Sequence, residues 1–248
     1  KEAIKVNTRM VIITYASNVI GTINPVMEIG KECRERGVLF LVDAAQAAGI
    51  VPIDVKEERI DLMAASGHKG IFGPQGTGIL CIGEGIDIRP LMEGGTAGGV
   101  EEEDQPLELP ARLESGTLNT PGIGGLAEGI RFILKIGIHN RLKKEQELMK
   151  YLIEGFVKLD RVRIVGALDS DRVGLVSFIV EDMDPVEVGS ILDRNYGIMV
   201  RAGLHCAYDA HKAIGTFPEG TVRVSPGYFN TIQDIETFLK AIEEIAGN

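Results

Sequence analysis

Ser66-Gly67-His68-Lys69 stands between an apolar run and the glycine-rich segment Gly73-Pro74-Gln75-Gly76-Thr77-Gly78. A lysine so placed is expected to have its stem buried and its amine held, so Lys69 is read as a chemical residue. Asp43 and Gln46 follow the apolar run Val38 to Val42, and Cys206 lies far downstream in Arg201-Ala202-Gly203-Leu204-His205-Cys206-Ala207, with Arg223 beyond it. An amine and a carboxylate at one sheet edge match what pyridoxal 5'-phosphate requires. The amine forms an imine, and the carboxylate keeps the pyridine nitrogen protonated so that the ring accepts the electrons of a substrate carbanion. Ser66 and His68 could hydrogen-bond the phosphate, and Gln46 is placed to reach the ring oxygen. Cys206 would be a nucleophile, because a thiolate is reactive even when partly populated. Arg201 and Arg223, flanking the thiol loop, suit a substrate carboxylate, which a guanidinium binds in a fork.

Other readings of the same residues stay open. Asp43 also fits the cap of a following helix. A cysteine beside His205 also fits a buried, inert thiol, and each arginine also fits a surface residue. His68, His205, Cys206 and His211 are possible zinc ligands, but their spacing fits no usual site and no metal is expected.

The elements that must position these groups follow from hydrophobic patterning. Met10 to Ala16 reads as a strand buried on both faces, delivering Asn18 near its carboxyl end, where α/β proteins bind ligands. Pro25 opens a helix to about Arg36, with Val26, Ile29 and Cys33 on one stripe. Val38 to Val42, Ile60 to Ala65 and Gly78 to Ile82 are further strands, and the alternation implies a mostly parallel sheet with helical cover. From Glu84 to Pro121 the periodicity weakens into a loop containing Gly94-Gly95-Thr96-Ala97-Gly98-Gly99 and the acidic run 101–104. It ends in Glu114-Ser115-Gly116-Thr117-Leu118-Asn119-Thr120-Pro121, which suits an anion or simply a helix cap. Gly122 to Leu159 is helical, broken near Gly137, with Lys and Glu expected to be solvated on its outer face. Val162 to Val165, Leu175 to Val180, a helix from Pro185 to Arg194, Met199 to Arg201, Val222 to Val224 and a helix from Ile232 to Ile245 make an α+β set with antiparallel character. The expected division is residues 1–140, part of a larger cofactor-binding domain, and residues 141–248, a smaller domain carrying the cysteine loop.

The chain has 248 residues, 44% of them apolar, enough for a sizeable core. A net charge of -10 argues against a nucleic-acid or anionic-membrane surface, so small-molecule chemistry is expected. Cys33, Cys81 and Cys206 show no paired spacing, which fits a reducing cytoplasm. No apolar run approaches a membrane span, and the charged start Lys1-Glu2-Ala3 lacks the apolar core of a signal peptide. Without an initiator methionine, the chain is expected to begin inside a larger domain.

Taken together, SNVIGTINP (17–25), DAAQAAG (43–49), SGHKGIFGPQGTG (66–78), ESGTLNTPG (114–122), RAGLHCA (201–207) and VRVSPGYFNT (222–231) resemble the cysteine desulfurase family, within the class V aminotransferases of fold-type I. The likeness is strongest to the SufS-like group, which includes selenocysteine lyases. It implies an α/β fold: part of a fold-type I large domain plus a small α+β domain. It implies pyridoxal phosphate with Lys69 as Schiff-base lysine and proton shuttle, Asp43 on the pyridine nitrogen, Gln46 on the phenolic oxygen, and Ser66 and His68 on the phosphate. Gly116 and Thr117 match a segment reaching the neighbouring subunit's phosphate, implying a homodimer with shared active sites. Asn18 and Arg223 match contacts to the substrate carboxylate, and Arg201 heads the thiol loop. Cys206 matches the thiol that takes sulfur from L-cysteine, leaving alanine and a persulfide for an acceptor protein. An aminotransferase, a selenocysteine lyase or a cofactor-free scaffold are the alternatives. Leu204 departs from the group, many members of which carry a second histidine there. The family's N-terminal portion is not in the sequence, so one side of the sheet is expected to be exposed and the cofactor weakly held.

Overall fold

Runs of Val, Ile and Leu set the first strands in the computed structural model, which describes residues 2–95 and 105–247. Strands β1 (Met10–Thr14), β2 (Leu39–Asp43) and β3 (Leu62–Ser66) lie parallel, and β4 (Gly78–Ile82) runs antiparallel to β3, in the order β1-β2-β3-β4. Thr14 stands opposite Asp43, and Asp43 opposite Ala64, so three carboxyl ends meet at one edge. Helix α1 (Val26–Glu35) joins β1 to β2 and buries Val26, Gly30 and Cys33. Turns rather than a helix join β2 to β3, so helical cover is thinner than the alternation predicts.

Among the described residues, only one face of this sheet is packed. Phe40, Val42 and Ala65 join Cys33, Ala47 and Ile71 in a core. The other face leaves Ile12 64%, Leu39 36% and Leu80 47% exposed, which corrects the expectation that β1 is buried on both sides and agrees with the expectation of an open sheet face. Of the glycine-rich and acidic loop, residues 96–104 lie outside the described residues.

Helix α2 (Thr120–Ile136) starts where the Asn119 side chain accepts from the Gly122 amide, so the cap reading fits this turn. Gly137, at φ 81°, separates it from α3 (Ile138–Phe156). The inner stripe of α3 runs Arg141, Glu145, Leu148, Leu152, Phe156, and its two charged members are only 3% and 2% exposed. These two therefore depart from the expected solvated charges.

The second sheet is wholly antiparallel, ordered β5 (Val162–Val165), β6 (Val176–Val180), β8 (Thr221–Val224), β7 (Arg201–Gly203). Helices α3, α4 (Pro185–Tyr196) and α6 (Ile232–Ala246) pack around a core in which the rings of Phe156, Phe178 and Phe238 meet. A short helix, α5 (Tyr208–Ala213), follows Cys206 in the connection between β7 and β8.

Candidate active site

Strands β7 and β8 place Arg201 directly opposite Arg223, on one face. Like charges so paired repel, and an anion between them relieves the repulsion. Arg223 is half-buried, its Nε is buried without a partner among the described residues, and its pKa is lowered by burial first and then by Arg201. Its Nη1 donates to the Asn18 carbonyl at 2.8 Å. The Asn18 side chain in turn donates Nδ2 to the His205 carbonyl at 2.7 Å, so the end of β1 is bound to both walls of the thiol loop.

That loop turns through His205 at φ 51° and Cys206 at φ 61°, two consecutive left-handed residues that are not glycine. The conformation costs about 1 kcal/mol or more at each and sends neighbouring side chains apart. His205 goes inward, 2% exposed, with Nε2 2.9 Å from Thr221 Oγ1. Cys206 goes outward and is exposed, which disfavours the inert buried thiol. Arg201 Nη2 donates to Cys206 Sγ at 2.9 Å, orienting the sulfur and offering it a cation. The His205 ring lies 5.3 Å from that of His211, whose Nδ1 meets Thr216 Oγ1 at 2.7 Å. Among the described residues, no three His, Cys, Asp or Glu side chains gather as metal ligands.

Lys69 sits in the β3–β4 connection, where Gly67 N bonds Thr77 O, Gly73 N bonds Gly67 O and Phe72 N bonds Lys69 O. The backbone is tightly held but the side chain is exposed, and among the described residues no hydrogen bond or ion pair reaches its amine. The expectation of a buried stem and restrained amine is thus corrected: the turn fixes the Cα, and the amine is free.

A cavity of about 490 Å³ brings Lys69 and Gln46 together with Asn18, Arg201, Cys206 and Arg223. Asp43 and Ser66 lie at the ends of β2 and β3, outside its lining, Asp43 exposed and accepting from the Ala45 amide at 2.9 Å. The contact resembles a cap, although a turn and not a helix follows. His68 is exposed outside the lining as well. Gly116, whose amide donates to Gly95 O at 2.8 Å, and the exposed Thr117 lie apart from the cavity. Sequence reasoning missed Glu145 in the cavity wall and its partner Arg141. Their i, i+4 spacing continues the apolar stripe of α3, which marks the face they occupy but not the carbonyls that Arg141 meets there.

A family model described as Aminotransferase class-V matches residues 1–238. The chain belongs to this family. Among similar members are a probable cysteine desulfurase of Methanothermobacter thermautotrophicus, 39% identical and matched over 100% of this chain and 63% of its own, and one of Pyrococcus abyssi, 42% identical over 96% and 59%. The apo structure of a cysteine desulfurase from Thermococcus onnurineus superposes with TM-score 0.90 at 40% identity, over 96% of this chain and 60% of that one. The class-V chain therefore spans about three fifths of the length of these relatives. It is α/β, with part of the fold-type I architecture.

Proposed function

We propose that this class-V chain is the larger part of a pyridoxal phosphate-dependent cysteine desulfurase, which converts L-cysteine to L-alanine and passes the sulfur through a persulfide on Cys206 to an acceptor protein. The observation that carries this reading is the cavity uniting a free lysine amine, an exposed thiol and two opposed arginines. The desulfurase relatives support it.

The residues fit the cofactor. Asp43 and Ser66 end adjacent parallel strands, the Lys69 amine is unengaged among the described residues, and Gln46 shares its cavity. Lys69, Asp43, Gln46, Ser66 and His68 would hold it. When bound, pyridoxal phosphate supplies an electron sink for the substrate's α-carbon. The orphaned Nε of Arg223 suits the substrate carboxylate, with Arg201 and the second amide hydrogen of Asn18 beside it. Lys69 Nζ takes the α-proton and returns a proton to the carbon fragment. Cys206 Sγ attacks the substrate sulfur: an S–S bond forms, the substrate C–S bond breaks, and alanine leaves.

The reading includes two domains meeting near residue 140, a homodimer whose Gly116 and Thr117 reach the partner's site, and a cytoplasmic setting that keeps the thiols reduced. The exposure of Thr117 supports the dimer. It is tested with Cys206→Ala in the longest natural polypeptide containing this chain. The variant should keep the visible band of the lysine-bound cofactor while producing no alanine from cysteine. Alanine formed at the parent's rate defeats the thiol assignment, and conversion of the cofactor to its amine form by amino acids, reversed by keto acids, points to transamination instead.

A further inference from the structure

The turns carrying Gln46 and Lys69 touch at their far ends. A methyl group on Gly49, at φ 79°, would overlap the Gly70 carbonyl, and one on Gly70 would stand 2.5 Å from the Ala48 carbonyl oxygen. This close approach leaves two backbone carbonyls side by side, and both are bound by one guanidinium. Arg141 Nη1 donates to Gly49 O at 2.8 Å and to Gly70 O. Its Nε donates to Glu145 Oε1 at 2.8 Å, and its Cζ lies 4.2 Å from the centre of the Phe72 ring, in the Lys69 turn itself. Glu145 also lines the cavity.

We infer that Arg141, braced by Glu145, is a positioning residue that sets the spacing of Lys69 and Gln46 by clamping the Gly49 and Gly70 carbonyls. A buried ion pair is weak as a stabiliser, since apolar residues of similar volume replace it at little loss. Its contribution is geometric. The planar fork satisfies two carbonyls and a carboxylate at once, which a lysine ammonium does not reproduce. Displacing a reacting amine by about 1 Å lowers a rate on the order of 100-fold, so an anchor one residue from Lys69 has leverage on the chemistry. Burial holds the Glu145 carboxyl above its ordinary range, while the Arg141 bond opposes that rise.

The inference rests on the reading of Lys69 as the cofactor-binding amine, and its test separates the two. Arg141→Lys, and Arg141→Met combined with Glu145→Met, are compared with the parent by circular dichroism, amide hydrogen exchange and titration with pyridoxal phosphate. The amides of Ala47, Ala48, Phe72 and Gly73 are hydrogen-bonded within the two turns. In both variants these should exchange about 10-fold faster while β5 and β6 are unchanged. Cofactor affinity should fall about 10-fold, and the pH midpoint of the visible band should move. Folded variants with parental exchange in both turns, or with parental affinity and midpoint, overturn the inference. So does failure of both variants to fold, because the pair then serves the fold and not the site. A parent without a visible band defeats the reading of Lys69, and the exchange comparison still decides the clamp.

Discussion

Cys206 is held in a backbone conformation that suits glycine better than cysteine, so its presence there is paid for in stability. Cys206→Gly should be more stable than Cys206→Ala by about 1 kcal/mol in urea unfolding, because only glycine adopts that φ without steric conflict. Equal stability of the two would mean the loop is unstrained. The neighbouring His205 carries a pH dependence. Its pKa is pushed down to about 4, by burial first and then by Arg223, His211 and Arg201. An unfolded chain binds that proton near pH 6.5, so between pH 6.5 and 4 the unfolded state holds more protons. Stability falls as pH drops through this window, by roughly 3 kcal/mol, and levels off below it. Burial of His211 acts in the same direction. Urea unfolding at pH 7 and pH 4.5 should show a smaller acid loss in His205→Gln than in the parent, and identical losses would place the dependence elsewhere.

Helix α6 closes the second core, and its first turn is fixed by a reciprocal pair: Thr231 Oγ1 accepts from Asp234 N at 3.3 Å, and Asp234 Oδ2 accepts from Thr231 N at 2.8 Å. Thr231→Ala should lower stability by about 1 kcal/mol in chemical denaturation. No change would show that the apolar face of the helix holds it unaided. Elements of this kind were legible in the sequence because local chemistry determines them. The spans of β4 and β5 were read to the residue, and the break at Gly137 was read from glycine alone. The missed features depend on contacts distant in sequence. Helix α5 is six residues long with two basic residues in its last turn, too short to show a period. Arg141 and Glu145 resemble solvated helix charges until the carbonyls 92 and 71 residues away are brought to the first of them. The convergence of Lys69, Gln46 and Cys206 was legible as chemistry, but the solvent exposure of the Lys69 amine and the position of Asp43 outside the cavity lining were not. Neither is specified by a local pattern.

For the molecule as a whole, that open face is an apolar surface on the sheet. Ile12, Leu39 and Leu80 present large aliphatic side chains on one side of a sheet, an arrangement that favours association. The chain produced by itself should self-associate in light scattering, and Ile12→Lys with Leu80→Lys should reduce this while leaving the circular dichroism unchanged. Undiminished association would assign it to another surface. A different whole-molecule consequence follows from the partners of Arg141. Apart from its glutamate and the Phe72 ring, it grips main-chain oxygens, which every residue possesses. A hybrid gene joined just before residue 141 would therefore take its arginine from one parent and the gripped carbonyls from another without a mismatch, provided both parents keep glycine at positions 49 and 70. The joint between the two halves tolerates sequence divergence because it is written largely in backbone.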